Sequence, residues 1–135
     1  MVSMPPIKLS TVDYRRLSAL LDKLPFSPEA DLLAEEIERA EHRMPEDMPA
    51  DVATMRSRVT FTILSTQKTF TYTLVYPEEL TGYDSPLSVL TPVGSALLGL
   101  STGQTMEWPL GSDRSTRVRI DNICYQPEMA GDFHL

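Results

Sequence analysis

The chain has a single cysteine, Cys124, so no disulfide can form within it. Its two histidines, His42 and His134, have no second histidine or cysteine at ligand spacing, which argues against a metal site. No apolar run approaches the ~20 residues that cross a bilayer. The opening residues MVSMPPIKLS lack the basic start and long apolar centre of a secretion signal, so a soluble cytoplasmic protein is expected. Positive charge is scarce too, with 12 Lys and Arg against 19 Asp and Glu, a net charge of -7. A broad nucleic-acid surface would need a basic patch, so no direct nucleic-acid contact is expected and a basic protein surface suits the chain better. The glycines of GSALLG are spaced by helix-forming residues with no lysine after them, so they do not form a phosphate-cradling loop.

What is present is enough apolar material for one core: 135 residues, 41% hydrophobic and 23% charged, broken by 11 prolines. Ser10 or Thr11 can cap a helix over about Thr11 to Leu24, with Asp13 in its positive first turn and Leu17, Leu20, Leu21 and Leu24 on one face. Pro25 ends it. Ser27 as cap, Pro28 at the first position and Glu29 and Asp31 in the first turn start a second helix. Leu33, Ile37, Ala40 and Met44 form a coiled-coil seam along it, and His42 falls in its charged EHR stretch. A tight connection makes the pair antiparallel, and MPEDMPADV reads as an acidic linker whose Glu46, Asp47 and Asp51 belong to a solvated hinge.

After the linker the period changes from helical to two. Val59, Phe61 and Ile63 alternate with threonines, as do Phe70, Tyr72, Leu74 and Tyr76 beyond an STQK turn, which predicts a hairpin. Met106, Trp108 and Leu110 predict another strand, GSD a turn, and Val118, Ile120, Ile123 and Tyr125 a last strand whose phase slips at Asp121-Asn122 in a bulge. Cys124 is expected as a small core residue of that strand. Between the hairpins, LSVLTPVGSALLGL gives a short strand, then Thr91 as cap, Pro92 at the first helical position and a helix that Gly99 stops. Val93, Leu97 and Leu98 belong to the core, while the turn Leu90-Thr91-Pro92 comes to the surface. The class is α+β: a short N-terminal antiparallel coiled-coil hairpin (1–43), a linker (44–52), and a sheet domain (53–135) with an antiparallel sheet and one short helix.

The hairpin, the linker and a sheet domain holding MPADVATMRSRV, LVYPEE, LSVLTPVGSALLGL and YQPE resemble the GreA/GreB transcription elongation factor family, over almost all of Thr11 to Leu135. The resemblance implies an FKBP-like C-terminal domain behind a coiled-coil arm, and RNA polymerase as partner at the rim of its secondary channel. Family members reach down that channel with a long arm whose paired tip acids hold a metal ion for transcript cleavage. Here each expected helix spans roughly 14 to 18 residues, about 20 to 27 Å, which is too short. The tip is Pro25-Phe26-Ser27-Pro28, and Glu29 and Asp31 fall in the first turn, where they favour the helix end. Cleavage is not expected, and neither a cofactor nor a metal is implied.

The family's Ser-Pro docking step after a strand matches Thr91-Pro92, with Leu90 where an Asp or Asn is usual, so an apolar contact replaces a charge-assisted one. The resemblance therefore implies a polymerase-facing surface on Asp84, Ser85, Leu90, Thr91 and Pro92. It implies a non-catalytic regulator that competes with longer channel-binding factors by exclusion. A second expected partner is nucleoside diphosphate kinase, for whose regulation some members are named. A monomer is expected, self-association through the seam being a third reading. Prolyl isomerase activity would need a concave aromatic pocket, and most of the 4 Phe, 5 Tyr and single Trp are accounted for by strand alternation.

Overall fold

A computed structural model describes residues 5–111 and 113–132; His134 and the middle of the expected GSD turn lie outside them. Helix α1 covers Thr11–Lys23, and Ser10 is its cap, the hydroxyl accepting the Asp13 N–H at 3.0 Å. Helix α2 covers Pro28–Arg39, capped by Ser27, which accepts the Ala30 N–H at 3.1 Å. The start of α1 lies beside the end of α2, since the Tyr14 hydroxyl donates to Glu38 and its ring packs 4.4 Å from that of His42. The pair is therefore antiparallel.

The second helix stops short of its expected end. Glu41–Arg43 leaves the helix as strand β2, parallel to strand β1 (Lys8–Ser10), with the Glu41 N–H donating to the Ile7 carbonyl at 2.9 Å. Burial of Ile7 and Leu9 at this pairing outweighs the helical spacing that carried the seam to Met44. Met44 is exposed, and His42 sits on β2 with Nε2 2.8 Å from the Ile37 carbonyl oxygen.

The main sheet has the order β5-β4-β3-β7-β6, from β3 (Arg58–Ile63), β4 (Lys68–Val75), β5 (Pro86–Ser88), β6 (Thr105–Gly111) and β7 (Arg114–Tyr125). It is mixed rather than purely antiparallel, because β5 runs parallel to β4. On β3 and β4 the expected threonine face is present, with Thr60 and Thr62 hydrogen-bonded to their cross-strand partners Thr71 and Thr69, each at 2.9 Å. The opposite face buries Val59, Phe61 and Leu74, with the Phe61 ring 5.9 Å from Phe70 and 6.0 Å from Tyr72. The bulge falls where the phase slip placed it: pairing steps from Thr60↔Asn122 to Phe61↔Ile120, skipping Asp121. A second slip skips Cys124, and the thiol is exposed rather than in the core.

Helix α3 (Pro92–Leu97) buries Ala96 and Leu97, with Leu98 just beyond, against the sheet, and a further short helix, α4 (Pro127–Ala130), follows β7. Within 44–52, Glu46, Asp47 and Asp51 are solvated as expected, but Pro45, Met48 and Val52 are buried. Gln126 donates to the carbonyls of Pro49 and Val52, at 2.7 and 2.8 Å, and tethers this segment to the end of β7. One apolar core runs through both halves, Leu17, Leu33 and Ile37 of the helices joining Phe61, Leu74, Leu97 and Trp108. No helix among the described residues is long and apolar enough to cross a membrane.

Candidate docking surface

The segment from Ser88 to Ser95 is built to hold a surface turn still. Thr91 donates its hydroxyl proton to the Ser88 carbonyl at 2.7 Å and accepts the Gly94 N–H at 3.0 Å, while Ser88 Oγ accepts the Leu90 N–H at 3.1 Å. Ser95, buried inside α3, donates to the Val89 carbonyl at 2.6 Å. These bonds satisfy the Gly94 N–H in the first helical turn and fix both ends of the turn, so Pro92 is presented on a rigid base. Pro92 is exposed; Leu90 and Thr91 are half-buried.

Across from this turn lies the first part of α2. Pro28, Glu29, Asp31 and Glu35 form one wall of a cleft of about 430 Å³, Leu90 and Pro92 another, and Trp108, Pro109 and Leu110 at the end of β6 the third. The structure thus brings the helix-start residues of the arm and the turn after β5 to a single concavity. Its rim is acidic through Glu29, Asp31 and Glu35, and its floor is apolar. The β6 wall was missed from sequence, where alternation gave Trp108 and Leu110 to sheet packing. Trp108 is indeed buried, but Leu110 at the strand end is exposed.

Other sequence candidates lie elsewhere. Asp84 and Ser85 are exposed at the opposite end of β5 from Leu90, Ser85 with φ 47° and its carbonyl accepting the Thr73 N–H at 3.0 Å. Pro25 and Phe26 form the exposed link between the helices, Phe26 at 84% exposure, and neither lines the cleft. Ser27 is spent on its cap. Among the described residues no group of three His, Cys, Asp or Glu is placed to hold a metal ion.

A second group of polar residues joins the helices to the sheet domain. The ATMRS part of the quoted motif is a tight turn in which Thr54 and Ser57 bond each other and Thr54 Oγ1 donates to Glu128 of YQPE at 2.7 Å. Arg56 has φ 64°, its N–H donates to the Leu74 carbonyl at 2.5 Å, and its Nε donates to Glu79 at 2.6 Å. Asp13, only 4% exposed, turns from the helix end expected for it and accepts the Met55 N–H at 3.1 Å. Burial above all, and then the Glu128 charge, push its carboxyl up to about 7 against the opposing Met55 N–H, Arg16 and Arg56.

These features define a small α+β protein with a helical hairpin packed on a sheet and a rigid, acid-rimmed cleft at their junction. The model of the GreA/GreB transcription elongation factor C-terminal region matches residues 48–125, and the model of the Rnk N-terminus matches residues 5–42. The chain belongs to the GreA/GreB family, with an Rnk-type N-terminal part. It is 42% identical to the regulator of nucleoside diphosphate kinase of Escherichia coli K12 over 99% of its own length and all of that protein, and equally so to that of Shigella flexneri. A solved structure of a GreA/GreB transcription elongation factor from Nitrosomonas europaea, 43% identical, superposes with a TM-score of 0.71 over 90% of this chain and 100% of that one.

Proposed function

We propose that the chain is a non-catalytic, cytoplasmic transcription regulator that docks on RNA polymerase near its secondary channel. In this reading the sheet domain is FKBP-like and the hairpin is a short coiled-coil arm that occupies the channel entrance and excludes Gre-type factors. The observation that carries the reading is the cleft in which Leu90 and Pro92 lie across from the first turn of α2, a rigid convex turn flanked by acids that suit a basic partner surface. With 13 residues α1 reaches about 20 Å, so the arm blocks an entrance without extending to a distant active centre. The test is displacement of a labelled Gre factor from core RNA polymerase. Displacement at stoichiometric concentrations is expected, with no shortening of a backtracked transcript; failure to displace would overturn the reading.

The names of the relatives favour a second reading, regulation of nucleoside diphosphate kinase through direct contact or through its level. Co-purification of the kinase in stoichiometric amount, without polymerase, would select it.

A further inference from the structure

We infer that the recess between α1 and the sheet domain is a binding site for a phosphoryl anion of the diphosphate class. The recess encloses about 430 Å³ on the side of Arg56 and Tyr76, apart from the docking cleft. In a chain with few cations, three open onto it: Arg16 and Lys23 from α1 and Arg56 from the turn before β3. Arg16 and Lys23 are seven residues apart, about 10 Å along the helix, with Ala19 and Leu20 between them as a low apolar floor. That separation suits an anion with two charged centres better than a single carboxylate. Glu78 on the rim and Glu79, ion-paired with Arg56, offset two of the three positive charges, which leaves the recess with a net positive charge.

A further observation points to a ligand. Arg56 holds a left-handed backbone conformation, unusual for a residue with a side chain, and strain of this kind concentrates at functional sites. Its guanidinium is fixed by Glu79 and lies 5.4 Å from the Tyr76 ring centroid. A guanidinium has five N–H donors, more than the Glu79 oxygen takes up, so donors remain for a phosphoryl oxygen in a preset direction. Tyr76, only 4% exposed, backs the recess.

The experiment is a titration of the ¹⁵N-labelled protein with sodium pyrophosphate at constant ionic strength, read by amide shifts, beside adenosine diphosphate as a second probe. Saturable shifts confined to 16–23 and 56–79 are expected. Arg16→Gln and Lys23→Gln, both on partly open helix positions, should each weaken binding about tenfold, and Lys23→Arg should retain it. Equal response to both probes would identify the phosphate chain alone as the recognised group; response to pyrophosphate only would identify the free anion. Non-saturating shifts with pyrophosphate, or binding unchanged in a folded Arg16→Gln/Lys23→Gln variant, would overturn the proposal.

Discussion

Gly94→Ala is expected to destabilise the protein by about 3 kcal/mol, although local propensity favours alanine over glycine in a helix by about 1 kcal/mol. Gly94 lies inside α3, so its backbone poses no obstacle. The obstacle is space: a Cβ there would collide with the Ser88 carbonyl and stand 2.9 Å from Thr91 Oγ1. The first neighbour is backbone and the second is the cap of the same helix, and neither can move without opening the turn. For a chain of this size the loss corresponds to a fall of about 10 °C in Tm by calorimetry. The same displacement should carry Leu90 and Pro92 out of place, so the residual folded protein should also dock poorly. A variant as stable as the native chain would show that α3 is not clamped onto β5.

Asp13→Asn should remove most of the loss of stability that accompanies a rise in pH from 4 to 7. An ordinary aspartate ionises near 3.8, whereas Asp13 in the folded chain keeps its proton until about 7. Between those values the unfolded chain has lost a proton that the folded chain retains. Stability therefore falls as pH rises, by about 1.4 kcal/mol per unit and on the order of 4 kcal/mol over the window, then levels off above 7. The groups facing the carboxyl are Arg16 on its own helix, Arg56 on the turn before β3, Glu128 on α4 and the Tyr76 hydroxyl on the sheet side. Asparagine keeps an oxygen for the Met55 N–H and carries no charge to bury. Urea unfolding at pH 5, 6, 7 and 8 should show the variant flatter than the native chain and more stable at pH 8 by about 2 kcal/mol or more. Parallel profiles would mean that Asp13 is solvated in the native state.

Local signals were legible in the sequence and distant ones were not. Ser27 and Thr91 cap their helices as read, because a cap is decided by residues two or three positions away. The threonine face of β3 and β4 and the bulge at Asp121 follow from a period of two and its interruption. The parallel pairing of β1 and β2 joins two three-residue strands more than 30 positions apart, too short for any period to register, and it is what cut α2 short. Cys124 was misjudged because the slip at Asp121 turns Ile123 inward beside Val59, which leaves Cys124 on the outer face with Thr60 and Asn122. Asp13 found its partner in Met55, 42 residues on, where only the folded chain brings a free N–H to it.

The candidate cleft divides in the same way. Glu29, Asp31, Leu90 and Pro92 were all marked in the sequence, but on separate grounds and as separate surfaces. Their meeting depends on how the hairpin packs on the sheet, and so does the third wall at Trp108 to Leu110. Asp84 and Ser85, close to Leu90 in sequence, are carried to the other end of β5 because an extended strand moves about 3.3 Å per residue.

The most direct test of the account is the equilibrium binding of the fluorescently labelled protein to core RNA polymerase, measured beside Pro92→Glu. Thr91 remains as the cap in that variant, and a glutamate at the first helical position is well tolerated, so the fold should persist with an unchanged Tm. The account predicts saturable, one-to-one binding by the native chain and at least a tenfold loss in the variant. No binding by the native chain, at concentrations where a Gre factor saturates the polymerase, would contradict it.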